Sequence, residues 1–302
     1  MSFAAEDPGS WETVLEQGRA ADEAGIDRVV VSDHVVYGEN LEAYSSPESG
    51  GVTGGKQPTG PDGHWLEPLT FLSVLCGRTK QVRLGTNILQ AALRRPAVLA
   101  KSLATLDVLS GGRVDIGVGV GWQREEYEAC GLPFEGRGKL LDETLEVLQT
   151  LWTEQRASHS GPALQFQNIH MCPKPRQAGG VPFWVSGRLN ANVARRLSRF
   201  GSGWIPWGDE AADLANSIPR MRSMVADTGR DPSGIGVVGT LKIERDADGA
   251  ADLDRTMQPV PALLEAGVTD FRAGVRLGDS YQENVETLIG LVESFRVTTG
   301  RK

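Results

Sequence analysis

The feature that most constrains the fold of this sequence is the alternation of short β-branched runs with longer helical patterns along most of its length. Residues 26–32 and 82–88 have the Val and Ile content that is typical of strands, whereas residues 96–109 repeat apolar side chains at helical spacing. Strands that alternate with helices in this way pair in parallel βαβ units. The alternation therefore predicts an α/β fold.

The same pattern continues to the end of the chain without a break in composition. Strands are predicted at residues 26–32, 82–88, 113–118, 181–185, 203–206, 235–243 and 270–275. With a short apolar stub at residues 2–5 counted as the first strand, the chain has eight strand-helix units. We therefore predict that residues 1–302 form a single (β/α)8 TIM barrel, an architecture of about 250 residues plus insertions. A doubly wound parallel sheet is the alternative.

Two segments are predicted to be insertions in this barrel. Residues 45–63, after strand 2, are rich in Gly, Pro and Ser and should form neither helix nor strand. Their position in a βα loop is typical of a mobile active-site lid, and a tolerated surface insertion is the alternative. Residues 155–175, between the helix at 139–153 and strand 5, are predicted to contain a short extra strand pair.

Charge and cysteine usage limit the partners and the compartment. Lys and Arg total 31 against 39 Asp and Glu, a formal charge of −8, and no basic run is present, so nucleic acid is not an expected partner. The 3 cysteines are odd in number and widely spaced, which indicates a reducing compartment. Because no signal-like segment and no apolar run of membrane length occurs, we expect a cytoplasmic protein that does not associate with membranes.

The residues that follow each predicted strand are the candidates for chemistry, because barrels of this kind build their sites there. His34 follows strand 2, histidine is the residue type that changes its charge near neutral pH, and the adjacent Asp33 could raise the pKa of His34 or hold its tautomer. His34 is either a general acid or base or a loop cap. The four histidines have no metal-ligand spacing, so no metal is predicted. Lys242 alternates with apolar neighbours and is predicted to point to solvent rather than to form a Schiff base.

Two glycine-containing segments suggest how a ligand could be held. Residues 117–121 lack the spacing of a dinucleotide fingerprint, and instead predict a strand end where a planar ligand approaches the backbone. Ser186, Gly187 and Arg188 precede a helix that begins near Asn190 and could bind a phosphate. An ordinary helix cap is the alternative at that position.

Several motifs recur together in one known family. They are Val31–Val35, Val82–Leu89, Ala104–Arg113 and Gly117–Trp122 with Arg124–Glu126 after it. In their order and spacing, over nearly the whole chain, the sequence resembles the luciferase-like (bacterial luciferase-type) flavin and deazaflavin oxidoreductases, in the branch that depends on coenzyme F420.

This resemblance implies a fold, a cofactor and a set of site residues. It implies a (β/α)8 barrel in a homodimer, with the deazaflavin ring across the C-terminal ends of the strands. It further implies hydride transfer between ring carbon C5 and a small organic substrate, with His34 as the proton donor or acceptor and Asp33 beside it. A non-proline cis peptide at Asn87–Ile88 would contact the ring. The other residues implied to line the ring and the phosphate are Gly119, Gly121, Ser186, Gly187 and Arg188.

The sequence departs from the family pattern in two places. Trp122 stands where sugar-phosphate dehydrogenases of the family have an acidic residue, so we expect an apolar or planar substrate in a pocket that includes Trp122 and Trp207. Only residues 2–5 match the first strand, which indicates a shortened strand or a start assigned too late.

Two rival functions remain open at the level of sequence. An FMN-dependent monooxygenase would use the same ring position and phosphate site. A non-catalytic barrel that binds flavin or another ligand belongs to a different class and would need no proton donor.

Overall fold

The computed structural model describes residues 3–301, apart from the side chain of Ser49. The chain forms two compact units, one of residues 3–11 and 30–184 and one of residues 12–29 and 185–301. None of the helices in the described part of the chain is both long and apolar enough to cross a membrane.

Strands and helices alternate in both units. The strands are β1 (Phe3–Ala4), β2 (Arg28–Val31), β3 (His64–Trp65), β4 (Arg83–Leu89), β5 (Val114–Val118), β6 (Ala157–Ser160), β7 (Gln165–Ile169), β8 (Phe183–Gly187), β9 (Gly201–Pro206), β10 (Gly236–Leu241) and β11 (Asp270–Ala273). The helices are α1 (Glu12–Glu23), α2 (Pro68–Cys76), α3 (Pro96–Leu109), α4 (Arg124–Ala129), α5 (Arg137–Thr153), α6 (Ala191–Phe200), α7 (Asp209–Ala212), α8 (Leu214–Ala226), α9 (Leu253–Met257), α10 (Val260–Ala266) and α11 (Tyr281–Thr299). Short 3₁₀ turns span Leu41–Ser45, Pro47–Ser49 and Ala91–Leu93.

The order of the strands decides between the two predicted architectures. Seven strands of the described chain form one sheet in the order β11-β10-β9-β8-β5-β4-β2. The pairs β4–β5, β9–β10 and β10–β11 are parallel. Each new strand is added on the same side of the previous one, whereas a doubly wound sheet reverses its order at a switch point. The fold is therefore TIM-barrel-like, and the doubly wound alternative is wrong.

The first predicted strand does not join this sheet. Phe3 and Ala4 pair antiparallel with Trp65 and His64 in a separate two-stranded sheet. The Phe3 ring stacks on Trp65 with ring centroids 4.4 Å apart. The prediction that residues 2–5 form strand 1 of the barrel is wrong for its described residues, because this aromatic contact and the pairing with β3 take the segment elsewhere.

The first unit is built around β4, β5 and the helices that cover them. All five residues of β5 are buried, which is typical of a central parallel strand covered on both faces. Helix α3 begins at Pro96, a favoured first helical residue, and buries Leu99, Leu103 and Leu106 on one face. Between α5 and β8 the chain forms the antiparallel hairpin β6–β7.

The second unit has its own core. Leu241 of β10 packs with Met257, Val260 and Leu291 from the surrounding helices. At the edge of this core Arg28 forms an ion pair with Asp270 of β11.

Candidate active site

His34 lies three residues after the end of β2 in a pocket of aromatic rings. Its side chain is 10% exposed. The centroid of its ring is 4.3 Å from that of Tyr37, 4.8 Å from that of Trp65 and 5.9 Å from that of Trp122. The imidazole is therefore held by packing on several sides, as a group that handles protons at a fixed position needs to be.

The carboxylate that contacts His34 belongs to Glu126, a residue of α4. Nδ1 of His34 is 3.1 Å from Oε2 of Glu126, whose side chain is fully buried. The backbone N–H of Val35 donates to Oε1 at 2.8 Å, and Nε2 of Gln90 donates to Oε2 at 2.8 Å. Each oxygen of this buried carboxylate thus has a hydrogen-bonding partner, as buried polar atoms generally do.

Asp33 is adjacent to His34 in the sequence, but its carboxylate is bound by Arg94. Nη1 and Nη2 of Arg94 donate to the two carboxylate oxygens at 2.7 and 2.9 Å, and the backbone N–H of Gln90 donates to Oδ2 at 2.8 Å. The Asp33 side chain is fully buried and that of Arg94 is 17% exposed. The hypothesis that Asp33 holds the tautomer of His34 therefore finds no contact between these side chains, and Glu126 has that position.

Arg94 also joins the site to the start of α2. Its Nη2 donates to Oε1 of Glu67, the N-cap residue, which also accepts from the backbone N–H of Thr70. Burial alone raises the pKa of Glu67, but the hydrogen bonds from Thr70 and Arg94 and the charge of Arg94 outweigh it, and the pKa lies below its usual value. Burial likewise lowers the pKa of Arg94, but its hydrogen bonds with Asp33 and Glu67 and their charges raise it overall. Arg94 therefore stays charged between its two acids.

Tyr37 remains a neutral phenol in this environment. Burial raises its pKa, and the nearby charge of Glu126 and the neighbouring Tyr44 raise it further. Its hydroxyl donates to Oε1 of Gln57 at 3.2 Å.

Residues 45–63, the predicted active-site loop, lie against the aromatic rings that surround the imidazole. Gln57 binds the hydroxyl of Tyr37, and Oγ1 of Thr59 accepts from Nε1 of Trp65 at 3.0 Å. The segment contains one 3₁₀ turn, so the expectation of no helix at all is wrong at that point. A turn of this kind needs only three or four residues, so Pro and Ser permit it.

The ends of β4 and β5 have the backbone features that the family resemblance implies. The peptide bond between Asn87 and Ile88 is cis. A Cβ atom on Gly119 would lie 2.9 Å from Cδ1 of Ile88, so a larger residue at position 119 would require the Ile88 side chain to shift. These three residues and Gly121 lie in the same unit as His34.

Gly121 is constrained by its conformation and by a neighbour. Its φ is +68°, and a Cβ atom would lie 1.8 Å from Oε1 of Gln90. Gln90 can move away only by giving up its hydrogen bonds to Glu126 and to the carbonyl of Asp33. Gly131 has a similar φ of +70° but has no atom within 4 Å of a Cβ position. The substitution Gly131→Ala therefore adds backbone strain without a steric conflict.

We expect Gly121→Ala to destabilise the protein by roughly 1–3 kcal/mol more than Gly131→Ala, because both add backbone strain and only the first adds a steric conflict. Urea denaturation of the two variants and the wild type measures the difference. Equal losses of unfolding free energy would show that Gln90 moves without cost.

Trp122 lies beside the imidazole and is 6% exposed. Its ring meets that of Tyr44 edge-on, with centroids 5.4 Å apart. Its Nε1 is buried and has no hydrogen-bond partner among residues 3–301. Buried indole N–H groups usually have a partner, so this donor is an exception in the described chain.

The other predicted site residues belong to the second unit or to its border strand. Ser186 and Gly187 end β8, and Asn190 caps α6 by accepting from two backbone N–H groups. Nε and Nη2 of Arg188 are buried without a hydrogen-bond partner in the described chain. Trp207 follows the end of β9. Lys242 is 81% exposed and pairs with Glu244, in agreement with its predicted orientation to solvent.

Comparisons with known proteins identify the family. The model of the luciferase-like monooxygenase family matches residues 2–260. The chain belongs to this family. An F420-dependent glucose-6-phosphate dehydrogenase of Segniliparus rotundus is 32% identical over 260 residues, which cover 84% of this chain and 70% of the relative.

Solved structures share the fold. An F420-dependent secondary alcohol dehydrogenase in complex with an F420-acetone adduct superposes with a TM-score of 0.74 at 18% identity, covering 97% of this chain and 96% of that one. Monooxygenase RslO1 from Streptomyces bottropensis gives the same TM-score of 0.74 at 20% identity, covering 96% and 93% of the two chains. Membership of the family makes this protein an oxidoreductase.

Glu126 is one of the site residues that were not predicted from the sequence, as are Tyr37, Trp65 and Arg94. It stands among the residues that carry the family resemblance, but it lies 92 positions from His34. Its place in the first turn of the helix after β5 is the signal that could have found it, because barrel sites are built after strand ends.

Proposed function

We propose that this protein is a coenzyme F420-dependent oxidoreductase that transfers a hydride between the deazaflavin and a small organic substrate, with His34 moving the accompanying proton. The observation that carries the proposal is the buried and oriented imidazole of His34 at the end of β2. The name of the Segniliparus relative supports the choice of cofactor. A carbon–carbon double bond, an imine or a carbonyl is the expected acceptor group.

The chain contains donors that fit the phosphate of such a cofactor. Nε and Nη2 of Arg188 are buried and unpaired, directly ahead of the N-terminus of α6. A guanidinium with free donors and a helix N-terminus both favour an anion. We assign Ser186, Gly187 and Arg188 to the phosphate, in preference to an ordinary helix cap.

The ring would be held by the ends of β4 and β5. Asn87, Ile88, Gly119 and Gly121 would line the ring there, with Ile88 packed against Gly119 and Gln90 against Gly121. When bound, the deazaflavin supplies the hydride chemistry at its C5 carbon.

The residues around His34 would position the proton transfer and exclude water. Nε2 of His34 has no hydrogen-bond partner among the described residues and is the nitrogen that would exchange a proton with substrate. Asp33, bound by Arg94, would support the loop that carries the imidazole. Any contact of Asp33 with the deazaflavin ring would be made by its backbone. Trp122 would contribute an apolar wall, which supports an apolar or planar substrate rather than a sugar phosphate.

The cofactor is tested by binding to the cofactor-free protein. We expect F420 to quench the tryptophan fluorescence of the protein on binding, and we expect FMN to bind more weakly. Tight FMN binding without F420 binding would favour the monooxygenase alternative. Binding of either ring without turnover of any reducible substrate would favour a non-catalytic protein.

Replacing Arg188 by glutamine should weaken F420 binding by roughly 10–100-fold, because charge-assisted hydrogen bonds to phosphate are lost. Arg199→Gln, an exposed position at the other end of α6, is the matched control and should bind as the wild type does. Fluorescence titration of both variants measures the difference. Unchanged affinity in Arg188→Gln would contradict the assignment of the phosphate site.

A further inference from the structure

Glu126 is a fully buried carboxylate that forms no ion pair with lysine or arginine in the described chain. Its hydrogen-bond partners are the N–H of Val35, the side-chain amide of Gln90 and the ring of His34. Burial of a carboxylate is unfavourable unless hydrogen bonds or an opposite charge compensate it. The position of Glu126 next to the imidazole therefore calls for an explanation.

The orientation of Gln90 indicates that Glu126 accepts hydrogen bonds at the oxygen facing the imidazole. The NH₂ group of Gln90 donates to Oε2 of Glu126 at 2.8 Å and to the carbonyl of Asp33 at 3.3 Å. Oε1 of Gln90 is left buried without a partner. The carbonyl of Asp33 can only accept, so the amide group of Gln90 that faces both this carbonyl and Oε2 of Glu126 is the NH₂, and Oε2 is therefore the acceptor.

An accepting carboxylate determines which ring nitrogen of His34 carries the proton. Oε2 of Glu126 lies 3.1 Å from Nδ1, and an ionised carboxylate can only accept, so Nδ1 must be the donor. In the neutral ring this leaves Nε2 with its lone pair.

We propose that Glu126 is a positioning residue that holds His34 in the Nδ1–H tautomer, so that Nε2 is the nitrogen that exchanges a proton with the bound substrate. The tautomer is argued from the contacts of Glu126 with Gln90 and His34, whereas its role in turnover rests on the proposed function. The acid adjacent in sequence, Asp33, is committed to Arg94 and does not share this task.

The substitution Glu126→Gln should reverse the tautomer with almost no change in volume. The backbone N–H of Val35 needs an acceptor, so the amide oxygen takes the place of Oε1 and the amide NH₂ faces His34 and Gln90. That NH₂ donates to Nδ1, which forces the proton to Nε2. Gln90 can then turn its amide oxygen toward this NH₂, but only by giving up its hydrogen bond to the carbonyl of Asp33.

The tautomer is measured by ¹⁵N NMR of the cofactor-free protein labelled at histidine. The chain has only 4 histidines, and loss of a signal in His34→Asn assigns the ring of interest. In the pH range where the ring is neutral, we expect Nδ1 to be protonated in the wild type and Nε2 in Glu126→Gln. A wild-type ring in the Nε2–H form, a ring that is doubly protonated throughout, or an unchanged tautomer in the variant would overturn the proposal.

A second buried pair in the chain provides a matched control. Oε1 of Glu143 lies 3.3 Å from Nε2 of His159, and both side chains are nearly buried. Glu143→Gln should alter the signals of His159 and leave those of His34 unchanged. If Glu126→Gln does not fold, the wild-type spectrum alone still decides the tautomer.

The role in turnover is tested separately, in the enzyme loaded with F420. Glu126→Gln should lower kcat at least about tenfold with little change in KM, because the protonated nitrogen then faces the wrong way. Its pH profile should also change, which loss of packing alone would not cause. Glu128→Gln, an exposed position on the same helix, should retain wild-type kinetics. A wild-type kcat and pH profile in Glu126→Gln would refute the role, while absence of any F420-dependent turnover in the wild type would refute the proposed function and leave the NMR result standing.

Discussion

Replacement of His34 by asparagine is expected to lower kcat by roughly 10²–10⁴-fold, the range that positioned proton transfer contributes to catalysis. The loss should appear in kcat rather than in the affinity for F420, because the phosphate is assigned to other residues. Asparagine has no group that titrates near neutral pH, so the variant should also lose the part of the pH profile that depends on this proton. The measurement is the rate of oxidation of reduced F420 with a panel of activated alkenes, imines and carbonyl compounds.

His64→Gln is the matched control for this experiment. His64 lies in β3, next to Trp65 of the aromatic pocket, but its side chain is exposed. It should therefore react at the wild-type rate. A His34→Asn variant that matches the wild type at every pH would remove His34 from the mechanism.

The helices and central strands of this fold could be predicted because their signals are local. Helix α3 has the predicted bounds, residues 96–109, because Pro96 and the apolar repeat mark its face and its start. Strands β4 and β5 both begin and end within one residue of the predicted bounds. A short run of β-branched residues between two helical patterns predicts a strand, so the order of these elements could be predicted.

The first strand could not be predicted because it depends on a distant partner. Phe3–Ala4 has too few residues to carry a periodic pattern, and its place is decided by pairing and ring stacking with Trp65. Such contacts have no trace in the residues around position 3.

The candidate site shows the same division between local and distant information. Its histidine could be found because chemistry in barrels is expected after strand ends. The pairing of this histidine with Glu126 could not be predicted, because the two residues meet only in the folded chain, where α4 packs beside the end of β2. Sequence adjacency favoured Asp33 instead, but the carboxylate of Asp33 is bound by Arg94 and has no contact with the imidazole. The Asp33 carboxylate pairs with Arg94, whereas the imidazole of His34 contacts Glu126.

Removal of Arg94 should strongly destabilise the first unit, because Arg94 pairs with the buried carboxylate of Asp33. Arg94→Met keeps most of the apolar stem but leaves the Asp33 carboxylate fully buried, with only the backbone N–H of Gln90 as a donor. Breaking a buried pair from one side typically costs about 3–5 kcal/mol, because the remaining charge is uncompensated. Chemical denaturation should therefore show a markedly lower midpoint for this variant.

The size of that loss should depend on burial of the charge and not on the removal of an arginine. Arg124→Met breaks the pair between Arg124 and Glu135, whose side chains are 49% and 75% exposed, and should leave the denaturation midpoint almost unchanged. The double variant Asp33→Asn/Arg94→Met removes the uncompensated charge and should be more stable than Arg94→Met alone. The single variant Asp33→Asn completes the comparison. If the double variant loses the sum of the unfolding free energies lost by Asp33→Asn and Arg94→Met, the two residues contribute independently, and the loop that carries His34 is held by its other contacts.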